Sequence, residues 1–411
     1  MKHTNKFLVP FIFVISALAG ITLNSCKNPR QQDKTPVIAF YKVEENTAKS
    51  MQQAIQEYCQ EKSIEVVFSE INDSETLEKQ INEKDIRLVF TSAGNAQRTV
   101  SKFTEDNAGI SENIFENLSI SIRQCIIYDE KNPTIASAVP VLHDNIELDV
   151  NMNRLRNGKV TVINTIGDLE NFALEQKKAK NDIEYPLMFA GKDPVNFFDL
   201  LGALCEAIDG PRFYDDALEI INNSAENPAE SARLLLTDPK APMVNTAITL
   251  KRFFAEGLIY QGCFNFTEKD LQGFCKQDFT TAMFMTLSQH RQFKDISFRS
   301  YKNSYIPGIT ETPERNFSAN IVYAVPLTPG NQVNSLVKEL LSDEFQEKLC
   351  YKTGLAPVAK NCRTPDIQSD DARYWIAATN KPRPGLGHDT TLTHEQLDTL
   401  KAAVRTVLLY D

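Results

Sequence analysis

The chain has 411 residues and a formal net charge of −10, with 42% hydrophobic and 24% charged residues. These proportions are typical of a folded globular protein and exclude long disordered stretches. The acidic balance comes without a Lys/Arg cluster large enough to follow a phosphate backbone, so no nucleic-acid partner is expected.

The N-terminal segment predicts where the protein is located. Lys2 and Lys6 precede an apolar run of about 17 residues, shorter than the roughly 20 needed to span a bilayer. The run ends in Leu23-Asn24-Ser25-Cys26, which is typical of a bacterial lipoprotein signal. We therefore predict a signal peptide over 1–25, a lipid on Cys26, and a flexible tether over 26–35. The protein would be lipid-anchored in the cell envelope, facing the periplasm or the exterior. A transmembrane anchor, or an ordinary signal with a chance cysteine, are the alternatives.

The first hundred residues of the body alternate between strand and helix patterns. Strands are predicted over 37–41, 64–68 and 86–90, and the helices between them are expected to be N-capped by Asn46/Thr47 and by Ser74. This βαβαβ order predicts a parallel sheet covered by helices. Ligands of such sheets bind beyond the carboxyl ends of the strands, where the loops 42–46 and 91–97 fall.

The second half repeats this alternation with longer helices. A strand over 185–190 precedes Asp193, a suitable N-cap, and Pro194 at the first helical position. Thr267 and Asp270 have the spacing of a capping box, and 280–286 is typical of a buried strand. The segment 379–389 is rich in proline and glycine and is predicted to be loose. The total length predicts two domains.

The sequence contains few signals of catalysis. Hydrolase, metalloprotease and P-loop motifs are absent, and none of the five histidines pairs with another at metal-ligand spacing. The seven cysteines after Cys26 lack Cys-x-x-Cys spacing, so no metal and no cofactor are predicted. Two pairs, Cys263/Cys275 and Cys350/Cys362, form disulfides or, equally, are buried thiols. We predict that the protein is not an enzyme.

Four segments, in order, resemble the bacterial extracellular solute-binding proteins of ABC importers, in the family that includes maltose-binding protein. Residues 139–151 are similar to the first crossing strand, and 165–172 to the helix start that follows it. Residues 274–285 resemble the family's Ala-Met strand, and 340–358 its Leu-Leu-Ser helix and Gly-x-x-Pro-Val turn. The sequence departs from the family at Gln277-Asp278, at 316–320, and at Ser288-Gln289-His290, where sugar binders often carry a tryptophan.

The resemblance implies an α/β fold of the periplasmic-binding-protein type, with two α/β lobes, a hinge and a ligand cleft between the lobes. One lobe would contain 36–140 plus 320–357, and the other 141–319 plus 358–411. The function implied is that of the substrate-binding component of an ABC transporter, which delivers a small polar solute to the permease subunits. A carbohydrate is the first expectation. A glycerophosphate, a polyamine, a peptide, or an adhesion role without transport are the alternatives.

The matched positions also imply a set of ligand contacts. Those near the first lobe and the crossing are Tyr41, Glu44, Ser92, Asn95, His143 and Asp144. Those of the second lobe are Asp193, Asn196, Phe197, Ser288, Gln289, His290, Tyr374 and Trp375. Phe197 and Trp375 would supply the rings on which a sugar stacks. For several positions a structural role is the alternative: Phe197 and Trp375 in the core, Asp193 as a cap only, and Asn95 in a tight turn.

Overall fold

The structure is a computed structural model that describes residues 35–72, 74–178, 185–293, 296–311, 319–379 and 382–410. The predicted signal peptide, Cys26 and nearly all of the tether lie outside these residues. No helix in the described part of the chain is both long and apolar enough to cross a membrane.

In the described part of the chain, eleven strands form one mixed sheet. They are β1 Val37–Tyr41, β2 Val67–Ser69, β3 Leu88–Ser92, β4 Ile110–Ser111, β5 Ile127–Tyr128, β6 Ile135–Asn151, β7 Leu187–Phe189, β8 Ala282–Thr286, β9 Tyr301–Ser304, β10 Ala319–Pro326 and β11 Ala356–Pro357. The main path runs β2-β1-β3-β10-β6-β8-β7. The predicted parallel βαβαβ unit is confirmed, because β1 pairs in parallel with both β2 and β3.

Seventeen α-helices surround the sheet in the described residues. They are α1 Glu45–Glu61, α2 Leu77–Glu83, α3 Asn95–Ser101, α4 Ile120–Arg123, α5 Met152–Asn157, α6 Ile166–Lys178, α7 Pro194–Ile208, α8 Phe213–Asn222, α9 Pro228–Leu236, α10 Val244–Ala255, α11 Glu268–Lys276, α12 Leu287–Gln292, α13 Asn331–Leu340, α14 Asp343–Thr353, α15 Ile367–Ala377, α16 Leu386–Asp389 and α17 His394–Tyr410. Short 3₁₀ helices cover Glu112–Asn117, Gln261–Asn265 and Ile296–Ser300.

Strand β6 connects the two halves of the molecule. Its first part pairs with β10 and its second part with β8 and β9, so one chain segment runs through both halves of the sheet. Sixteen of its 17 residues are buried. Pro140 lacks a backbone N–H, and the β10 pairing shifts register beside it, between Val322 and Tyr323.

Two separate hydrophobic cores define two lobes. The first lobe is built on Leu287 and on buried residues from 38–142 and 321–376, and the second on other buried residues from 146–306 and 386–408. The division differs from the expected boundary at α15, because Ala372 and Ile376 pack in the first core rather than the second. All seven described cysteines are buried, and no disulfide joins any two of them within the described residues.

Candidate functional site

A cavity of about 590 Å³ lies between the lobes, where the carboxyl ends of strands and the starts of helices meet. This volume falls within the range of small-molecule sites. The first lobe contributes the loop after β1 and the start of α3, and the crossing strands contribute Asp144, Ile146 and Asn320. The second lobe contributes residues from the starts of α7, α11 and α12 and from the segment around α16.

Eight of the fourteen predicted site residues line this cleft. They are Tyr41, Glu44, Asn95, Asp144, Asp193, Asn196, Ser288 and Gln289. The structure therefore brings together, from both lobes, residues up to 248 positions apart in the chain. Contact with a ligand stays a prediction for each of them.

Several of these side chains also hold the cleft in shape. Glu44 accepts hydrogen bonds from the backbone N–H groups of Asn46 and Thr47 and so caps α1, and Asp193 caps α7 through Val195 N–H at 2.7 Å. A capping side chain satisfies N–H groups that the helix cannot pair internally. Glu44 and Asp193 thus cap a helix and line the cavity at the same time.

Asp144 is a buried acid of the cleft. It accepts hydrogen bonds from Ser288 N–H at 2.9 Å and from Ser288 Oγ–H at 2.5 Å. Burial raises the pKa of the Asp144 carboxyl to about 6; the two bonds from Ser288 oppose this rise, and the charge of Glu44 adds to it. The two hydrogen bonds from Ser288 also connect the crossing strand β6 to the start of α12.

His388 and Asp199 form a pair that the sequence reasoning missed. His388 Nδ1 lies 2.5 Å from Asp199 Oδ2, and Asp199 Oδ1 accepts from the N–H groups of Gly387 and His388. Burial alone would lower the pKa of His388, but the charge and hydrogen bond of Asp199 outweigh burial and raise it. Gly385 and Gly387 permit this close approach, since a Cβ at either would lie within 2.4 Å of Asp199 Oδ1 or Val195 O.

The sequence contains one indication of this pair. Gly385 and Gly387 lie close together in the segment 379–389, which was predicted to be loose. Most of that segment is ordered: α16 lies within it, and Pro384, Gly387 and His388 line the cleft. Residues 380–381 lie outside the described residues. Lys42, Glu268 and Asn320 also line the cleft and were not predicted.

The other six predicted residues lie away from the cleft. Ser92 is buried, and its hydroxyl donates a hydrogen bond to the carbonyl of Lys42. Ser92 therefore stabilises the loop after β1 without lining the cleft. His143 is buried inside the sheet, and burial lowers its pKa to about 3. His290 faces Asp149 on the far side of β6.

Three of the four predicted aromatic residues also lie outside the cavity. Phe197 is 3% exposed and packs against Phe189 and Phe264 in the second core, as its structural alternative predicts. Trp375 lies on α15 with its ring against Tyr305, and Tyr374 is exposed to solvent. Tyr41 is therefore the one aromatic side chain that lines the cleft among the described residues.

No protein-family model and no curated protein matches this sequence. Solved structures match it over most of its length. They include the bacterial solute receptor AcbH, with an exclusive preference for β-D-galactopyranose (TM-score 0.65, 12% identity, 91% of this chain and 97% of that chain). The binding protein RafE in complex with raffinose matches with TM-score 0.62, 13% identity, and 91% and 100% coverage. The sugar-binding protein MalE from Xanthomonas citri matches with TM-score 0.60, 11% identity, and 91% and 97% coverage.

These matches agree with the two cores, the crossing strand and the cleft between the lobes. At such low identity they concern the fold and not the ligand. The chain has the α/β fold of the two-lobed, periplasmic-binding-protein-like solute receptors.

Proposed function

We propose that this protein is the lipid-anchored solute-binding component of an ABC importer, which captures a small carbohydrate between its lobes and delivers it to a permease. The observation that carries the proposal is the interlobe cleft, lined from both lobes by amides, hydroxyls and carboxylates. Such groups are the donors and acceptors that a hydroxyl-rich solute needs. We infer binding rather than catalysis because the solved structures of the same fold reported above are binding proteins.

The open cleft also separates this proposal from two of the alternatives. An adhesion protein has no need of a polar cavity of about 590 Å³ between its lobes. A glycerophosphate would meet five carboxylates there, and like charges repel.

Native mass spectrometry of the purified protein, followed by a thermal-shift panel of mono- and oligosaccharides, tests the proposal. A ligand that binds the native state at a hundredfold excess over its dissociation constant should stabilise it by about 2.7 kcal/mol. X-ray scattering should show a more compact particle with that ligand. No co-purifying solute and no shift with any sugar would contradict the carbohydrate proposal.

A second candidate is a cationic or aminated solute, such as an amino sugar or a polyamine. The cleft places five carboxylates, from Glu44, Asp144, Asp193, Asp199 and Glu268, against the two basic side chains of Lys42 and His388. An excess of negative charge in a partly enclosed site attracts cations. Tyr41 offers a ring for a cation as well as for a sugar face.

Salt dependence separates the two candidates. Each sugar that binds is compared with its amino derivative at low salt and at about 0.5 M salt. Affinity for a cation should fall as salt screens the carboxylates, whereas affinity for a neutral sugar should change little. Tighter binding of the amino derivative that disappears at high salt supports the second candidate. Equal affinities at both salt concentrations exclude it.

A further inference from the structure

A second cluster of polar groups lies on the side of β6 away from the cleft. Glu147 and Asp149 are two positions apart on β6, so both point to the same face of the strand. This face is opposite to that of Asp144 and Ile146. His290, on α12, completes the group. Its Nδ1 atom lies 2.7 Å from Asp149 Oδ1 and 3.6 Å from Glu147 Oε1. One ligand atom from each of the three residues lies within 4.8 Å of the others.

The two carboxylates of this cluster are buried, and most of their oxygens have no hydrogen-bond partner among the described residues. Glu147 and Asp149 are both 0% exposed, and both oxygens of Glu147 and Oδ2 of Asp149 have no hydrogen-bond partner among those residues. Buried carboxylates are normally paired, hydrogen-bonded or bound to a metal. The adjacent cation, Arg291, uses its guanidinium on the side chains of Asp366, Gln368 and Ser369 and on the Gly354 carbonyl.

We propose that Glu147, Asp149 and His290 bind one divalent transition-metal ion of the Zn²⁺ or Mn²⁺ class. One imidazole nitrogen and two carboxylate oxygens form a donor set that such ions accept, whereas Mg²⁺ and Ca²⁺ favour oxygen donors alone. Metal–ligand distances of about 2.0–2.2 Å place neighbouring ligand atoms roughly 3 Å apart. The distances of 2.7 and 3.6 Å from His290 Nδ1 to the two carboxylate oxygens are close to that spacing. A dication would neutralise both carboxylates and occupy the orphaned oxygens of Glu147.

The position of the site gives the ion a structural role between the lobes. Gln368, on α15 of the first lobe, places its side-chain nitrogen 3.1 and 3.0 Å from the two ring nitrogens of His290. The next residue, Arg291, donates hydrogen bonds to the Asp366 carboxylate and the Gly354 carbonyl, and both of these residues also belong to the first lobe. The metal would therefore fix His290 where the lobes meet behind the cleft. This inference is independent of the solute that the cleft binds.

Metal analysis of the full chain tests the proposal. The protein is treated with chelator under mild denaturation, refolded with equimolar Zn²⁺, Mn²⁺ or Mg²⁺, and desalted before elemental analysis. We expect about one Zn²⁺ or Mn²⁺ and no Mg²⁺ per wild-type chain, with a higher melting temperature than the metal-free protein. Glu147→Gln and His290→Gln should lose the ion. His388→Gln, which removes another histidine paired with an aspartate, should keep it.

Refolding with Co²⁺ is a second test, which needs only the wild-type protein. Visible absorption bands of bound Co²⁺ should appear in the wild type and disappear on addition of Zn²⁺. Absence of the bands together with absence of retained metal would overturn the proposal and leave shared protons as the occupants of the cluster. Metal retained equally by the wild type, Glu147→Gln and His290→Gln, all folded by circular dichroism, would also overturn it.

Discussion

At the scale of single residues, the direction in which a side chain points decides whether a predicted residue belongs to the cleft. Asp144 and His143 are neighbours on β6, but only Asp144 faces the cavity, because side chains of a strand alternate between its two faces. The motif match predicted both residues and could not separate them. His388 and Asp199 were missed because their pairing joins positions 189 residues apart, and because the glycines beside His388 were interpreted only as marks of a loose segment.

Asp144→Asn should stabilise the protein at neutral pH. The folded-state pKa of about 6 lies above the ordinary value of 3.8, so the folded state carries the cost of ionising a buried group at pH 7. That cost is about 3 kcal/mol at most, and it disappears below about pH 4, where the carboxyl is protonated in both states. The gain should therefore be present at pH 7.5 and lost as the pH falls through 6 towards 4.

Urea unfolding of the wild type and Asp144→Asn at pH 7.5 and pH 4 measures this difference. Glu44, His388 and Ser288 face the same carboxyl and are unchanged in both proteins. The same stability difference at both pH values would show that ionisation of Asp144 does not cause it.

Phe197→Ala should weaken the fold rather than the binding site. The ring is buried among Phe189, Phe198 and Phe264, so its removal leaves a cavity in the second core. Such truncations cost about 3–5 kcal/mol. Chemical unfolding should show this loss, while calorimetry below the transition should give an unchanged solute affinity. A large fall in affinity with little loss of stability would indicate that Phe197 contacts the solute.

At the scale of elements, the sequence predicted helix caps best where the capping residue acts locally. The Asp193 cap, Pro194 at the first turn and the Thr267–Asp270 capping box are confirmed. The expected N-cap of α1 at Asn46/Thr47 was wrong by two or three residues, because the longer side chain of Glu44 reaches both N–H groups. The cap of α2 is Thr76 rather than Ser74. Strand ends also shifted, from 64–68 to Val67–Ser69, because the neighbouring strand decides which residues pair.

Gly94→Ala should disturb the contact between the lobes at α3 and α16. Gly94 has φ +77°, and a Cβ there would lie 2.4 Å from the His388 carbonyl oxygen. Both the backbone conformation and the clash oppose a side chain, so we expect a loss of about 1–3 kcal/mol. Thermal and urea unfolding measure it.

Gly273→Ala is the matched control. Gly273 lies inside α11, and a Cβ there would meet nothing within 4 Å. Alanine favours a helix over glycine, so this change should stabilise the protein by about 0.5–1 kcal/mol. Unchanged or increased stability of Gly94→Ala would contradict the close approach of Gly94 to His388.

At the scale of the whole molecule, two cores joined by a crossing strand agree with the two-lobed fold that the sequence resemblance implied. The resemblance placed the cleft between the lobes but could not predict its chemistry. The side chains in the cleft come from distant segments, and the expected rings Phe197 and Trp375 lie elsewhere.

Cys26→Ser should release the protein from the membrane. Cys26 directly follows the apolar run and is the predicted site of lipid attachment. Detergent-phase partitioning of cells that express the wild type or the variant measures the anchor. The variant should move to the aqueous phase, and its retention in the detergent phase would mean that another segment holds the protein.

The central claim is that a solute binds between the lobes, and titration calorimetry of two cleft variants tests it most directly. With one identified solute, Tyr41→Ala on the first lobe and Asn196→Ala on the second should each weaken binding about tenfold, or about 1.4 kcal/mol. Tyr374→Ala, an exposed aromatic residue outside the cleft, should bind as the wild type does. Wild-type affinity in both cleft variants would contradict the claim, and so would a loss confined to one lobe.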